Sequence, residues 1–307
     1  MKQSYPKRTA GCKLEVETGK QRDIILYPNV DHDVGFEMVQ RVGRMFLKHD
    51  RRVVFCQSLD GDARAAAPPP GYETASIESA MKSAEMIITF GGDGTILRAA
   101  RAAADLGVPI LGINMGGKGF LTELEANDIV LIEDVVKGNY KLGSLMMLDV
   151  EVSRAGEPVC KDFALNDIVI KGDNKVIDLT LYGDGQRISH FAGDGAIIAT
   201  PTGSTAYSMA AGGPIVEPSA HNIIITPICA HILETKSFVL VSDRRVSVEI
   251  GYRRTNPAYM SVDGGDRVQI QSGDVINVHK SEKYTRFVRL SNRSFYQKVS
   301  EKLGEKL

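Results

Sequence analysis

The chain has 307 residues, long enough for two domains with separate cores, and its 43% apolar and 24% charged residues are typical of globular proteins. Its 37 Lys and Arg against 38 Asp and Glu argue against a nucleic-acid-binding protein that relies on a basic surface. The N-terminus is polar and the chain lacks any long apolar run, so no membrane partner is predicted. The four cysteines lie far apart and are predicted as buried free thiols, which indicates a cytoplasmic protein.

The first 145 residues alternate apolar strands with helical patterns. Residues 1–21 are polar and predict a loose arm. Strands are predicted over 23–29, 51–56, 85–90 and 108–114, and helices over 35–50, 76–84, 95–107 and 127–140. The alternation predicts a mainly parallel sheet with helices on both faces, so we assign residues 1–145 to an α/β nucleotide-binding domain.

From about residue 145 the chain is a series of short β-rich runs separated by turn residues. The predicted runs are 146–154, 162–172, 178–191, 195–201, 222–227, 237–241, 245–251, 258–265, 267–273, 274–281 and 284–290. The run 178–191 reads as a hairpin that turns at Gly-Asp-Gly. Helices are predicted only at 208–213 and at the solvated tail 294–307. Residues 146–307 therefore predict a β-rich, sandwich-like domain with a C-terminal helix.

The sequence GGDGT, residues 91–95, follows the predicted strand 85–90. A strand that ends in glycines and opens a helix turns backbone N–H groups toward an anion, so Gly91, Gly92, Gly94 and Thr95 are candidate phosphate-binding residues. A carboxylate crowded by glycines suits general-base activation of an alcohol for phosphoryl transfer, and Asp93 is the candidate catalytic residue. The alternative is a structural turn in which Asp93 caps the helix.

Two later segments carry polar groups that suit a nucleoside. Residues 193–218, GDGAIIATPTGSTAYSMAAGGPIVEP, offer hydroxyls and N–H groups for a phosphate or ribose, and Tyr207 offers a ring face for a base. Asn166 and Asp167 precede a β run and suit the hydroxyls of a ribose diol. The alternatives are a tight structural connection for the first segment and a plain turn before a strand for the second.

Taken in order, these segments resemble the NAD kinase family. That family typically carries GGDGT, an Asn-Glu pair (here Asn166-Asp167) and DG-x-x-x-x-TPTGSTAYS-x-x-AGGP, and the resemblance covers about residues 22–296. It implies a Rossmann-like N-terminal domain, a mainly β C-terminal domain and a cleft between them. It also implies ATP-dependent phosphorylation of the adenosine 2′-hydroxyl of NAD with a divalent metal, Mg²⁺. Homodimers or homotetramers, in which a neighbour completes the NAD site, are implied as well.

The resemblance also implies residue roles. Asp93 is the general base, Gly94 lies beside the bound dinucleotide, Asn166 and Asp167 hold ribose hydroxyls, and Asp194 approaches the nicotinamide end. The adenosine pocket is lined by Thr205, Ala206, Tyr207, Ser208, Met209 and Ala210. Arg98, on the helix after GGDGT, either reaches the ATP phosphates or lies on a solvated face. No side chain of the protein is assigned as a metal ligand.

Several positions depart from the family pattern. They are Lys118 for Leu, Ala230 for Pro, Ala192 for Arg, Asp167 for Glu, Ile177-Asp178 where a basic residue or His is frequent, and Asp263-Gly264-Gly265 for Asp-Gly-Gln. None involves Asp93, so the departures bear on affinity and on NAD against NADH preference. Two other functions stay open: a non-catalytic NAD-binding sensor, and another GGDG-type kinase acting on a lipid or a sugar phosphate. The sequence also leaves open ATP or polyphosphate as donor, the oligomeric state and any allosteric regulator.

Overall fold

The computed structural model describes residues 22–56, 67–117, 119–230, 236–251, 256–290 and 294–304. The predicted arm 1–21 and Lys118 lie outside the described residues. The helices are α1 (Glu37–Leu47), α2 (Ile77–Ala80), α3 (Asp93–Ala103), α4 (Ile132–Val136), α5 (Tyr207–Ala210) and α6 (Phe295–Gly304). Short 3-10 helices cover Val34–Phe36, Met81–Ser83, Ala126–Leu131 and Thr202–Thr205.

The strands are numbered in chain order. They are β1 (Asp23–Pro28), β2 (Val53–Phe55), β3 (Glu73–Thr74), β4 (Ala84–Gly91), β5 (Ile110–Asn114), β6 (Leu124–Glu125), β7 (Lys141–Arg154), β8 (Glu157–Ala164), β9 (Asp167–Gly172), β10 (Ile177–Gly183), β11 (Gln186–Gly193), β12 (Gly195–Ala199), β13 (Asn222–Ile228), β14 (Phe238–Val241), β15 (Val246–Ile250), β16 (Ala258–Val262), β17 (Val268–Ile270) and β18 (Asp274–Arg289).

The first half contains the predicted parallel sheet, with strand order β3-β2-β1-β4-β5. Alternate residues of the strands enter two separate cores: Ile24 of β1 packs with α1 and α4 on one face, and Ile25 packs with α2 and α3 on the other. The buried side of α3 is small, with Ala99 and Ala100 fully buried, so this helix lies close against the sheet. The prediction of an α/β half with helices on both faces is confirmed.

The second half is a sandwich of two antiparallel layers, as predicted. One layer has the order β14-β13-β12-β9-β16-β17, and the other contains β8, β7, β18, β15, β10 and β11. Inward residues of both layers, such as Leu148, Ile170, Ile198 and Val248, form one buried core. The predicted hairpin is present as β10 and β11, and it turns at Asp184 and Gly185, both with positive φ.

The two halves share one sheet, which the sequence did not predict. The predicted runs 274–281 and 284–290 form one long strand, β18, with an irregularity between Lys280 and Tyr284. β18 pairs antiparallel with β7 along its length and pairs parallel with β5 where Phe287 faces Ile110. The parallel sheet and one layer of the sandwich are therefore a single twelve-stranded sheet. The division at residue 145 falls within β7 and stays a prediction.

Several predicted boundaries were wrong. α3 begins at Asp93 rather than residue 95, the run 162–172 is split between β8 and β9, and the helix predicted at 208–213 is α5. The prediction of buried thiols was wrong for two cysteines, since Cys229 is exposed and Cys160 is only partly buried, whereas Cys56 is buried as predicted. None of the helices in the described part of the chain has both the length and the apolar run that a bilayer crossing requires.

Candidate active site

Asp93 is held at the junction of β4 and α3, and its side chain faces the loop that follows β5. Gly92 occupies the N-cap position, and no side-chain hydrogen bond caps the helix. The Phe120 N–H donates to Asp93 Oδ2 at 2.8 Å, and the Leu121 N–H donates to Oδ1 at 3.0 Å. The alternative in which Asp93 caps its own helix is therefore wrong. Both carboxylate oxygens are oriented by a second loop instead.

The surroundings of this carboxylate favour a proton acceptor. Burial raises the pKa of Asp93 above its ordinary value. The two N–H donors, Phe120 and Leu121, and the positive charges of Lys302 and Lys298 oppose that rise. A carboxyl group with a raised pKa is a stronger base once ionised, as general-base catalysis near neutral pH requires.

The glycines beside Asp93 fall into two classes. A Cβ at Gly119 would lie 2.8 Å from Asp93 Oδ1, so a larger residue there would have to displace the carboxylate. A Cβ at Gly92 would meet nothing within 4 Å, and one at Gly94 would meet only Arg98 Nη1, at 4.0 Å. Gly92 also has a negative φ, and Gly94 is helical. A side chain at position 92 or 94 would meet no clash, so the folded chain does not require glycine at either position. The space that these two glycines leave open beside Asp93 therefore suits a ligand.

The remaining two phosphate candidates have structural contacts. Gly91 is buried in β4, where a Cβ would overlap Thr95 Oγ1. Thr95 is itself only 2% exposed. Gly91 and Thr95 therefore fix the shape of the loop, whereas the backbone at Gly92 and Gly94 borders the open space.

Asp263 joins the segments that the sequence analysis singled out in the second half. It follows β16 with a positive φ of 49°, and its carboxylate accepts three backbone N–H groups: Leu165 at 2.8 Å, Asn166 at 2.7 Å and Asp167 at 3.0 Å. A Cβ on Gly203 would overlap the carbonyl oxygen of Asn166. The loop TPTGST, residues 200–205, thus lies directly against residues 165–167.

Asn166 and Asp167 are buried without full satisfaction of their polar groups. Asn166 is 8% exposed, and its side-chain Oδ1 accepts no hydrogen bond from the described residues. Burial, reinforced by the charge of Asp263, raises the pKa of Asp167 to about 7, although the Tyr207 N–H opposes the rise. An orphaned acceptor beside a weakly acidic carboxyl matches the hydroxyl groups of a ribose.

A cavity of about 390 Å³ lies between α3 and the six-stranded layer. Its lining contains Leu97, Asn166, Asp167, Val169, Lys171, Ala206, Tyr207, Tyr259, Ser261, Asp263, Gly264, Gly265 and Arg267. Leu97 follows Asp93 by one turn of α3. The cavity therefore extends to the helix that carries the candidate base.

The predicted dinucleotide-binding residues are distributed unevenly around this cavity. Four of them line it: Asn166, Asp167, Ala206 and Tyr207. Asp194, Thr205, Ser208, Met209 and Ala210 are not among its lining residues. The Ser208 hydroxyl is fully buried and hydrogen-bonded to Thr226 Oγ1 at 2.8 Å. Asp194 lies between β11 and β12, where its backbone bonds to Ile228 and Gly172.

Sequence reasoning missed Leu97, Lys171, Tyr259 and Arg267. Tyr259 and Lys171 are register partners on β16 and β9, and the Arg267 guanidinium stacks 4.3 Å above the Tyr259 ring. The alternation in AYMSV was a usable signal, because it puts Tyr259 and Ser261 on the face opposite Met260. The position of Lys171 on the same face as Tyr259 could be recognised only from the register of β9 against β16.

Among the described residues, no group of three or more His, Cys, Asp or Glu side chains could hold a metal ion. Glu123, which follows the loop that orients Asp93, is buried and paired with Arg289 at 3.0 Å. The donor set in the described ranges therefore does not form a metal site built by the protein alone.

Comparison with known proteins points to one family. Models of the ATP-NAD kinase N-terminal and C-terminal domains match residues 26–140 and 165–290. The NAD kinase of Natranaerobius thermophilus is 39% identical over 92% of this chain and 98% of its own length. The NAD kinase of Carboxydothermus hydrogenoformans is 39% identical over 76% of this chain and 84% of its own.

Solved structures have the same fold. An Archaeoglobus fulgidus NAD kinase in complex with ATP is 26% identical, with a TM-score of 0.70 over 92% of this chain and 98% of its own. Yeast NADH kinase complexed with NADH is 22% identical, with a TM-score of 0.78 over 94% of this chain and 89% of its own. The latter likeness bears on the fold alone.

Proposed function

The chain belongs to the ATP-NAD kinase family, and on that premise we propose that it transfers the γ-phosphoryl group of ATP to the adenosine 2′-hydroxyl of NAD, forming NADP and ADP. One observation carries the proposal. Asp93 borders an open, glycine-lined space and lies one helical turn from a cavity that contains Asn166, Asp167 and Tyr207.

In this proposal the cavity holds the adenosine half of NAD. The free Oδ1 of Asn166 accepts a ribose hydroxyl, Asp167 bonds the diol, and the half-exposed Tyr207 ring lies against the base. Thr205, Ser208, Met209 and Ala210 shape the adenosine pocket from behind, and Asp194 approaches the nicotinamide end. Lys171 and Arg267 add positive charge to the cavity wall, which suits the diphosphate.

The reaction transfers one proton and one phosphoryl group. The 2′-hydroxyl proton passes to the Asp93 carboxylate, and the 2′-oxygen forms a bond to the γ-phosphorus. The bond from that phosphorus to the β,γ-bridging oxygen breaks, and ADP leaves with the electron pair. Backbone N–H groups at Gly92 and Gly94 bind the triphosphate, with Arg98 beside them.

The divalent metal belongs to the substrate in this proposal. Mg²⁺ would enter the site with the triphosphate, whose oxygens are ligands of the kind this ion prefers, as is common for nucleotide kinases. It neutralises charge on the phosphates. The protein's own part is to bind the nucleotides and to accept the proton at Asp93.

A two-by-two assay tests the function. NAD and NADH are each incubated with MgATP or with magnesium polyphosphate, and the phosphorylated product is measured. We expect product with NAD and MgATP. Binding of NAD in calorimetry without product in any arm would contradict the kinase and support a non-catalytic sensor. ATP consumption that follows a lipid or a sugar phosphate, and not NAD, would support another GGDG-type kinase.

We further propose that the chain forms a homo-oligomer, a dimer or a tetramer, in the cytoplasm. β14 is an edge strand of the six-stranded layer, and Val239 and Val241 on it are 49% and 57% exposed. An apolar strand edge of this kind suits a subunit contact. Light scattering after size exclusion distinguishes a monomer from either oligomer.

A further inference from the structure

The backbone around Asn166 and Asp167 is hydrogen-bonded throughout. Three consecutive N–H groups donate to the Asp263 carboxylate: that of Leu165 to Oδ2 at 2.8 Å, and those of the next two residues to Oδ1 at 2.7 Å and 3.0 Å. The Leu165 carbonyl oxygen accepts the Thr200 hydroxyl at 2.6 Å, and the Asn166 carbonyl oxygen accepts the Thr200 N–H at 2.9 Å. The Asp167 carbonyl oxygen accepts the Asp263 N–H at 2.9 Å. Asp263 and Thr200, the backbone clamp, therefore bind every N–H and every carbonyl of this stretch.

Both residues of the backbone clamp directly follow strands that flank β9. Thr200 follows β12 and Asp263 follows β16, and β9 lies between these two strands and begins at Asp167. Thr200 is fully buried, and its hydroxyl oxygen also accepts the Gly203 N–H at 3.0 Å. The positive φ of Asp263, 49°, is a conformation that Asp and Asn adopt more readily than most residues. The sheet itself therefore holds the clamp in place.

The polar side chains of Asn166 and Asp167 are left for a ligand. They are 8% and 5% exposed, and both line the cavity of about 390 Å³. The buried Asn166 Oδ1 atom accepts no hydrogen bond from the part of the chain that the structure describes. A buried acceptor without a donor costs free energy that a bound hydroxyl would recover. Since the backbone is already fixed, a ribose would bind to side chains that need little further ordering.

We propose that Asp263 and Thr200 are positioning residues for NAD, which hold Asn166 and Asp167 in the orientation that binds the ribose diol. Neither clamp residue needs to touch a reacting atom, because each acts through the backbone of the two ribose-binding residues. This inference rests on the proposed function, since it concerns how the same cavity recognises NAD. It goes beyond that function by assigning a role to a carboxylate and a hydroxyl that the reaction itself does not use.

Asp263 also places a negative charge beside the Asp167 carboxyl group. Burial and this charge raise the pKa of Asp167 to about 7. Burial raises the pKa of Asp263 as well, and its three N–H donors and the charge of Arg101, which is paired with Asp162 at 2.6 Å, oppose that rise. The other titratable groups that line the cavity are Lys171 on β9, Arg267 before β17, Tyr207 on α5 and Tyr259 on β16. An ionised Asp167 accepts a ribose hydroxyl more strongly than a neutral one, so NAD should bind more tightly as pH rises through about 7.

Calorimetric titration with NAD, without ATP, tests the clamp directly. Asp263→Asn keeps the shape of the side chain and its tolerance of a positive φ, but offers one acceptor oxygen to three N–H donors. We expect its Kd for NAD to rise about tenfold or more, because the ribose-binding side chains lose their fixed orientation, while its Kd for MgATP stays within about twofold. The pH at which NAD binding tightens should fall below the wild-type value of about 7, because the charge beside Asp167 is gone.

Thr200→Val removes the other half of the clamp without a change of charge. Its Kd for NAD should rise as well, because the Leu165 carbonyl loses its hydroxyl donor, but the pH at which binding tightens should stay at the wild-type value. Thr200→Ser keeps a hydroxyl for Leu165 and Gly203 and should recover most of the affinity. These variants separate the loss of geometry from the loss of charge, and they test the clamp even if Asp263→Asn does not fold.

Asp266→Asn is the matched control, because it removes an exposed carboxylate from the same turn and should change neither the Kd for NAD nor its pH dependence. If wild type binds NAD with the expected pH dependence and the variants behave as above, but no NADP forms, the proposed function fails and the clamp is supported. If wild type makes NADP, and both Asp263→Asn and Thr200→Val bind NAD with wild-type affinity, only this inference is wrong. An equal loss of NAD and MgATP binding in these variants would also overturn it, since that result indicates a general loss of structure.

Discussion

At the scale of a single residue, turnover should depend most on Asp93. Asparagine keeps the shape of the side chain but cannot accept the 2′-hydroxyl proton, so we expect Asp93→Asn to lower kcat by about 10²-fold or more. The KM for NAD should change little, because the ribose contacts are assigned to Asn166 and Asp167. Asp105→Asn, which changes a carboxylate that is 70% exposed beyond the C-terminus of α3, is the matched control. A near-normal kcat in Asp93→Asn would rule out the general-base role.

Asp167 should make the stability of the fold depend on pH. An aspartate in an unfolded chain has a pKa near 4, whereas burial raises the folded value to about 7. Between those values the native state holds a proton that the unfolded state has lost. The contribution of Asp167 to the free energy of unfolding is therefore greatest below about pH 4 and falls as pH rises to about 7.

Asp167→Asn removes this titration. Relative to wild type, the variant should gain free energy of unfolding between about pH 5 and about pH 8, as measured by urea denaturation. Asp173→Asn, an exposed aspartate just after β9, should show no such gain. If the variant and wild type differ in free energy of unfolding by the same amount at about pH 5 and about pH 8, the Asp167 carboxyl is already ionised in the native state at the lower pH.

At the scale of an element, a substitution in the glycine loop at the start of α3 should affect ligand binding without destabilising the fold. Gly94→Ala adds a methyl group where the chain has open space and replaces a helical glycine, so the melting temperature should stay the same or rise. Turnover should nevertheless fall, because the methyl group occupies the space assigned to substrate. Gly203→Ala should do the reverse and lower the melting temperature, because its Cβ overlaps the Asn166 carbonyl. Full activity in a stable Gly94→Ala protein would show that no ligand approaches this glycine.

The elements themselves were largely predictable because each carries a local pattern. Alternating strands and helices before residue 145 and short β runs after it indicated both halves of the fold. The position of the Asp93 carboxylate was not predictable, because its partners Phe120 and Leu121 lie beyond the next strand. The same holds for Asp263, whose three N–H donors lie about a hundred residues earlier. Such contacts depend on the register of whole sheets.

At the scale of the whole molecule, β18 should make the two halves unfold together. Phe287 on β18 is 1% exposed and pairs with Ile110 of the parallel sheet, while the rest of the strand lies in the sandwich. Phe287→Ala should cost about 3–5 kcal/mol and lower the temperature of one common calorimetric transition. Phe55→Ala, at an equally buried site in β2, should also shift that single transition. If calorimetry resolves two unfolding transitions and Phe55→Ala lowers the temperature of only one, the two halves unfold separately. That result would contradict cooperative unfolding of the shared sheet.

The composition of the site was predictable in part at this scale. GGDGT, Asn166-Asp167 and the TPTGSTAYS loop were recognisable because their small and polar residues are clustered in sequence. Tyr259 and Arg267 were not recognised, because they reach the cavity from a strand and from the loop before the next strand, both of which have ordinary surface patterns. The tail was predicted as a solvated helix, whereas the Lys298 side chain is mostly buried beside Thr122.

The continuous sheet has a consequence for inhibitor design. A kinase whose lobes close about a hinge accepts tethered compounds of several lengths, because the lobes adjust to the tether. Here the parallel sheet that carries Asp93 and the sandwich that carries Asn166 are joined by strand hydrogen bonds along β18. Bisubstrate compounds that link an adenosine to a phosphate mimic should therefore show a sharp affinity optimum at one linker length, and rigid linkers of that length should outperform flexible ones.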